Sequence, residues 1–265
     1  MEADISQFRE LLSALPLDHP LRPSCACLLG MQLLARYWQS KQQDDLDKSI
    51  LHFTESLLFP PLWWLAHGPM ILDVLYFLAL SIFARSSASN EPEGAISAAI
   101  YLRHLRGLAH TPLIPRQQVT ASLVETLELQ MKLEASDVVQ TLEEMTALTQ
   151  ELLTSDPSSD DTTRAITCLA RGTNRRGFLE LLYSLSPDLL NEITECLRLA
   201  RMHKPELREV HFFLAKWLFA HYIHTPNDEL LEEAGSIMDK LIASSSPGDE
   251  FLAEYQKFVP QIVAW

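Results

Sequence analysis

PELREVHFFLAKWLFAHYIHTPNDELLEEAGSIMDKLIA, residues 205–243, decides how this chain is read. It divides into two helices around a turn at His224-Thr225-Pro226-Asn227. The first is apolar on two sides, with Val210, Phe213, Leu214, Trp217, Leu218 and Tyr222 on one and Phe212, Ala215 and Phe219 on another. A helix apolar nearly all round belongs between two layers. The second carries one stripe, Leu230, Ala234, Ile237, Met238 and Leu241, with Glu229, Glu232, Glu233, Asp239 and Lys240 turned to water. Such a pair cannot bury its apolar surface alone and needs a copy of itself on either side.

The pattern recurs upstream. First helices are expected to begin near residues 23, 68, 116, 160 and 205, in steps of 45, 48, 44 and 45. Second helices are expected near 45, 91, 137, 188 and 228. Ala35-Arg36-Tyr37 matches Ala220-His221-Tyr222, and an acidic opening follows each, Asp45-Leu46-Asp47 and Asp228-Glu229-Leu230. The reading is all-α: an α-solenoid, a right-handed superhelix of about five helix pairs in a single domain over 1–265. The units fall at 21–61, 68–110, 116–157, 160–203 and 205–246, with capping helices at 1–17 and 249–265.

Local signals place the helix ends. Asp44 or Asp45 is positioned to cap one second helix, and Asn90 with Glu93 spells a capping box for the next. Gly68-Pro69 is expected to open the apolar helix that follows it. Ser186-Pro187 supplies a cap with proline at the first helical position. RGTNRRG, residues 171–177, interrupts what the rhythm says should be one buried helix.

Composition narrows the function. Residues 1–132 hold 10 basic and 13 acidic side chains and residues 133–265 hold 11 and 22, for a net charge of −14. So acidic a chain repels phosphate backbones, which speaks against nucleic acid as a partner. Cys25, Cys27, Cys168 and Cys196 lack the spacing of a secreted disulfide framework and read as free thiols of a reducing, cytoplasmic compartment. The N-terminal residues carry neither a basic start nor a long apolar core, so no signal peptide is expected. The longest apolar run, residues 70–84, includes Asp73 and falls short of the roughly 20 residues that a membrane span needs.

Candidate chemistry is sparse. His67-Gly68 sits at a helix-pair junction, and no Gly-x-Ser-x-Gly, Walker or dinucleotide fingerprint is present. Cys25 and Cys27 are two apart on a helix and face different directions, and His221 with His224 lacks further ligands, so no metal and no cofactor is expected. Trp63 and Trp64, beside Pro60-Pro61, read as packing between units, the alternative being a membrane-dipping or partner-binding edge. The basic island is more distinctive: Arg171, Arg175 and Arg176, then Arg198, Arg201, Lys204 and Arg208. The last four form a candidate surface for an acidic peptide or a phosphate group. The alternative is that Arg198, Arg201 and Lys204 serve the dipole of a helix C-terminus.

HPLRPSCACLLGMQLLARYWQSKQQDDLDKSILHFTESLLFPP, residues 19–61, resembles the unit of large fungal tetratricopeptide-like proteins, many of which end in a CHAT-type caspase-like domain. ECLRLARMHKPELREVHFFLA (195–215) and EEAGSIMDKLIASSSPGDEF (232–251) are similar to later units of that group. The likeness covers nearly the whole chain, with 171–177 its clearest departure. It implies tetratricopeptide-like pairs whose first helices line a groove, and a non-catalytic scaffold that holds a protein or peptide partner. The alternative it leaves is a second reading, the regulatory part of a CHAT-type peptidase whose catalytic domain lies outside this chain.

Overall fold

Apolar residues at helical spacing become helices wherever the chain is described. The computed structural model describes residues 2–58, 61–108, 114–172 and 184–245, with backbone only over 61–70. Among them the regular elements are α1 (Glu2–Ala14), α2 (Arg22–Ser40), α3 (Gln43–Leu57), α4 (Pro61–Ser89), α5 (Pro92–Gly107) and α6 (Arg116–Lys132). There follow α7 (Val138–Ser155), α8 (Asp160–Gly172), α9 (Pro187–His203), α10 (Arg208–His224) and α11 (Asp228–Ala243). The protein is all-α. The expected terminal helix 249–265 and most of the 171–177 interruption lie outside the described residues.

The chain divides into two compact units, Met1–Asp137 and Val138–Trp265. In the first, each helix from α1 to α6 packs on the next, and α2 also meets α4, as α4 meets α6. In the second, α7 to α11 pack in the same order, with α7 meeting α9 and α8 meeting α10. Neighbour-on-neighbour packing with contacts two helices along is how hairpin repeats stack. The two helices of the expected third pair, α6 and α7, lie on either side of the division between units.

The core follows the two-faced pattern. On α2, Cys25, Ala26, Leu29 and Leu33 gather with Ile5 and Leu12 of α1. Cys27, Leu34 and Tyr37 turn instead to Leu46 and Phe53 of α3 and Val74, Leu78 and Ala84 of α4. In unit 2, α10 is buried at every position from Val210 to Ala220 except His211, and Lys216 among them spreads its ammonium over the Phe212 and Phe213 rings, 5.5 and 5.7 Å from their centroids. Each fully buried large apolar side chain contributes roughly 1.5–3 kcal/mol. The stripe expected on α11 is buried as a set: Leu230, Ala234, Ile237, Met238 and Leu241.

Three local expectations are corrected. Helix α4 begins at Pro61 and runs through Gly68-Pro69, so that dipeptide does not open it. Proline's φ suits a helix, and the loss of one backbone hydrogen bond leaves the rest of a 29-residue helix intact. Neither Asp44 nor Asp45 caps α3, whose N-cap is Gln42 without a side-chain bond. Asp45 is instead buried and bonded to Arg36, while Asp44 takes Lys48 at 2.5 Å. Asn90 forms no capping box either. It adopts a left-handed φ of 57°, which asparagine tolerates, and Glu91 is the N-cap of α5. The Ser186 cap holds, its side chain accepting from the Leu189 N–H at 3.2 Å with Pro187 at the first position.

The length of α4 also removes one argument used against a membrane span. Its stretch Ile71–Ser89 is long and apolar enough to cross a bilayer, with a mean hydropathy of 1.5. In the fold, 44% of that stretch is buried, and Val74, Tyr76, Leu78, Ala79 and Ala84 lie inside unit 1.

Candidate functional site

The basic island is built on α9. Ser186 and Pro187 start that helix, Leu189, Leu190, Ile193, Leu197 and Ala200 turn inward, and Arg198 and Arg201 occupy the other face. Arg198 does not wait for a partner. Its Nη2 lies 2.5 Å from Glu233 Oε2 on α11, its Nε donates to both Glu233 oxygens at 3.3 and 3.1 Å, and its Nη1 pairs with Glu195. The hydrogen bonds to Glu233 and then Glu195 hold the guanidinium pKa above its usual value. Arg201 stands 4.0 Å from the same Glu233.

The other members of the island are also engaged within unit 2. Lys204 Nζ donates to the Ser158 carbonyl at 2.8 Å, Arg208 Nη2 to Ser245 Oγ at 2.7 Å, and Arg171 Nη2 to Glu209 at 3.0 Å. Arg175 and Arg176 lie outside the described residues. An incoming acidic group must therefore displace Glu233 before it can hold Arg198.

Histidines gather on the same helices. His211 Nε2 and His221 Nδ1, both on α10, are buried without a hydrogen-bond partner. Burial lowers the pKa of each. Arg201 and Lys240 lower His211 further, and Arg198 and His224 do the same to His221. No group of three His, Cys, Asp or Glu side chains able to hold a metal ion occurs among the described residues. The four cysteines form no disulfide and are buried, and burial pushes Cys196 up to about 12, as it does Cys27 with help from the Asp73 charge. Such thiols are poor nucleophiles. His67 and Gly68 lie within α4, and the side chains of His67, Trp63 and Trp64 are outside the described set.

Sequence reasoning missed a two-bond ion pair on a buried carboxylate in unit 1. Arg36 on α2 grips Asp45 through two bonds, Nε to Oδ2 at 2.7 Å and Nη2 to Oδ1 at 2.5 Å, and reaches Glu2 of α1 at 2.6 Å. Asp45 is 1% exposed. Arg22, at the other end of α2, donates to the Leu12 and Leu15 carbonyls that end α1 and pairs with Glu55 on α3 at 2.8 Å. Both arginines thus tie α1 to α3 across α2. The available signal was the repeated Ala-Arg-Tyr or Ala-His-Tyr triplet ahead of an acidic helix start.

No family model matches the chain, and no curated protein does. Among solved structures, it is similar to a de novo designed helical repeat protein, DHR64, at 12% identity, covering all of this chain and 99% of that one with a TM-score of 0.24. A DHF119 filament is 14% identical over 92% of this chain and 95% of that one, with a TM-score of 0.21. Both scores are too low to add to what the helices themselves establish.

Proposed function

We propose that this chain is a non-catalytic protein-interaction scaffold, holding a peptide or a domain of a partner against the exposed faces of stacked helices. The observation that carries it is the packing order inside each unit, where each helix rests on the next and several, such as α2 on α4 and α7 on α9, also meet the one after. Helices stacked in this way hold side chains in a fixed register along an open face. Leu28 and Trp38, 42% and 45% exposed, share the solvent side of α2, one of the first helices that the tetratricopeptide-like resemblance assigns to a groove. Buried free thiols fit a reducing, cytoplasmic setting. Arg198, Arg201, Lys204 and Arg208 take an acidic partner only in exchange for the internal contacts they now make.

The test is capture from a cell extract, followed by calorimetry of the purified partner against the chain and a Leu28→Ser/Trp38→Ser variant. A partner that binds the parent and is weakened by the pair of substitutions supports the reading. Turnover in a broad hydrolase screen, with no reproducible partner, overturns it. The regulatory part of a fungal CHAT-type peptidase is the second reading, resting on the resemblance of residues 19–61. A coding sequence without a caspase-like domain beyond Trp265 removes it.

A further inference from the structure

Helix α10 carries two partly buried ionisable rings, His211 and His221, that scaffolding does not use. We propose that His211 and His221 make the seam of α9, α10 and α11 an acid-sensitive joint, closed while both rings are neutral and loosened when they take up protons. Geometry carries this. His211 Nε2 and His221 Nδ1 are buried and unpartnered, so a proton added there finds no acceptor. The charges of Arg201 on α9 and Lys240 on α11 oppose a proton on His211, and those of Arg198 on α9 and His224 on α10 oppose one on His221.

Glu233 of α11 is the nearby carboxylate, but Arg198 occupies its oxygens and Arg201 stands beside it. From α8, Arg171 reaches the start of α10 and is bonded to Glu209 there. The pKa of His52 in unit 1 is also lowered by burial, but the ring Nδ1 lies 3.4 Å from Glu55 Oε2, so that a proton there has a carboxylate to meet.

The direction of the pH effect follows. In the folded chain both rings bind protons less readily than in the unfolded one, for which the usual histidine value applies. Stability from the pair is therefore complete above that value and declines as pH falls through it. The helices α9 to α11 lose packing first, because both rings and the cations that oppose their protons stand on these three helices.

Hydrogen exchange of the full chain between about pH 7.5 and 5.5, corrected for intrinsic rates, tests the joint. Protection is expected to fall in α9–α11 while α6, which has no histidine, keeps its own. The variant His211→Gln/His221→Gln should lose far less protection in α9–α11 on acidification. Should that variant fail to fold at neutral pH, Lys240→Gln serves instead: removing an exposed cation that repels the His211 proton should lessen the acid effect. Equal losses in α6 and α10, or an acid response untouched by the substitutions, overturn the proposal.

Discussion

The hairpins α2–α3 and α10–α11 share a sequence register, yet polar chemistry holds them differently. Ala35-Arg36-Tyr37 stands where Ala220-His221-Tyr222 stands, 185 residues later. In the first, arginine grips a buried Asp45 nine residues on. In the second, position 230 is Leu230, the ring at His221 has no carboxylate, and Arg198 from α9 bonds Glu233 of α11 instead. One clamp is made within a pair and buried; the other is made between pairs and partly wet, with Arg198 30% and Glu233 31% exposed. The shared backbone pattern thus fixes the packing of helices while leaving the charge network free to be rewired.

The sharpest way to break the comparison is Arg36→Met. It strands Asp45 without its partner, and losing one member of a buried pair costs about 3–5 kcal/mol. Urea unfolding followed by helical circular dichroism should show that loss. A loss under about 1 kcal/mol, the ordinary worth of an exposed pair, would erase the distinction.

Glycine separates the same hairpins. A Cβ at Gly30 of α2 would lie 2.9 Å from the Phe53 ring, which is fully buried and stacked on Phe77 with centroids 6.1 Å apart. Gly30→Ala is expected to destabilise unit 1 by about 1–3 kcal/mol, as overpacking does. Gly235 of α11 has nothing within 4 Å of its would-be Cβ. Gly235→Ala should raise stability by about 0.5–1 kcal/mol, the helix-interior difference between the two residues. Parallel melts of the two variants must move in opposite directions.

The smallest expected effect belongs to the wet clamp. Glu233→Gln is expected to cost less than about 1 kcal/mol, because both partners remain near water. It also leaves Arg198 with Glu195 as its one remaining charged partner among the described residues, so binding of an acidic probe peptide by the variant but not the parent would sharpen the place of the basic island. A stability loss as large as that of Arg36→Met would mean that the two clamps do not differ in worth.

Much of the fold was legible because apolar periodicity reports burial directly. All five residues of the α11 stripe are buried, and the two-sided apolar surface of α10 is enclosed. What the sequence hides are choices between local and distant partners. An acidic residue at a helix start suits both a cap and a clamp, and nothing near Asp45 tells that Arg36 claims it. Asparagine before a helix suits both a cap and a left-handed turn, and Asn90 takes the second. Proline reads as a boundary, yet α4 carries Pro69 inside. The basic island was visible as composition, but its engagement by Glu233, Ser158, Ser245 and Glu209 depends on residues up to 46 positions away.

Arg22 has a practical consequence at the start of the chain. Its guanidinium closes the end of α1 from outside, while Ile5 and Leu12 anchor that helix from beneath. The link between α1 and α2 holds Leu17, 80% exposed, and so offers a protease an easy cut. The severed peptide would keep its Glu2–Arg36 ion pair, its carbonyl bonds to Arg22 and its apolar seat. A nicked molecule should therefore co-elute as one particle, separating into two bands only once it is denatured.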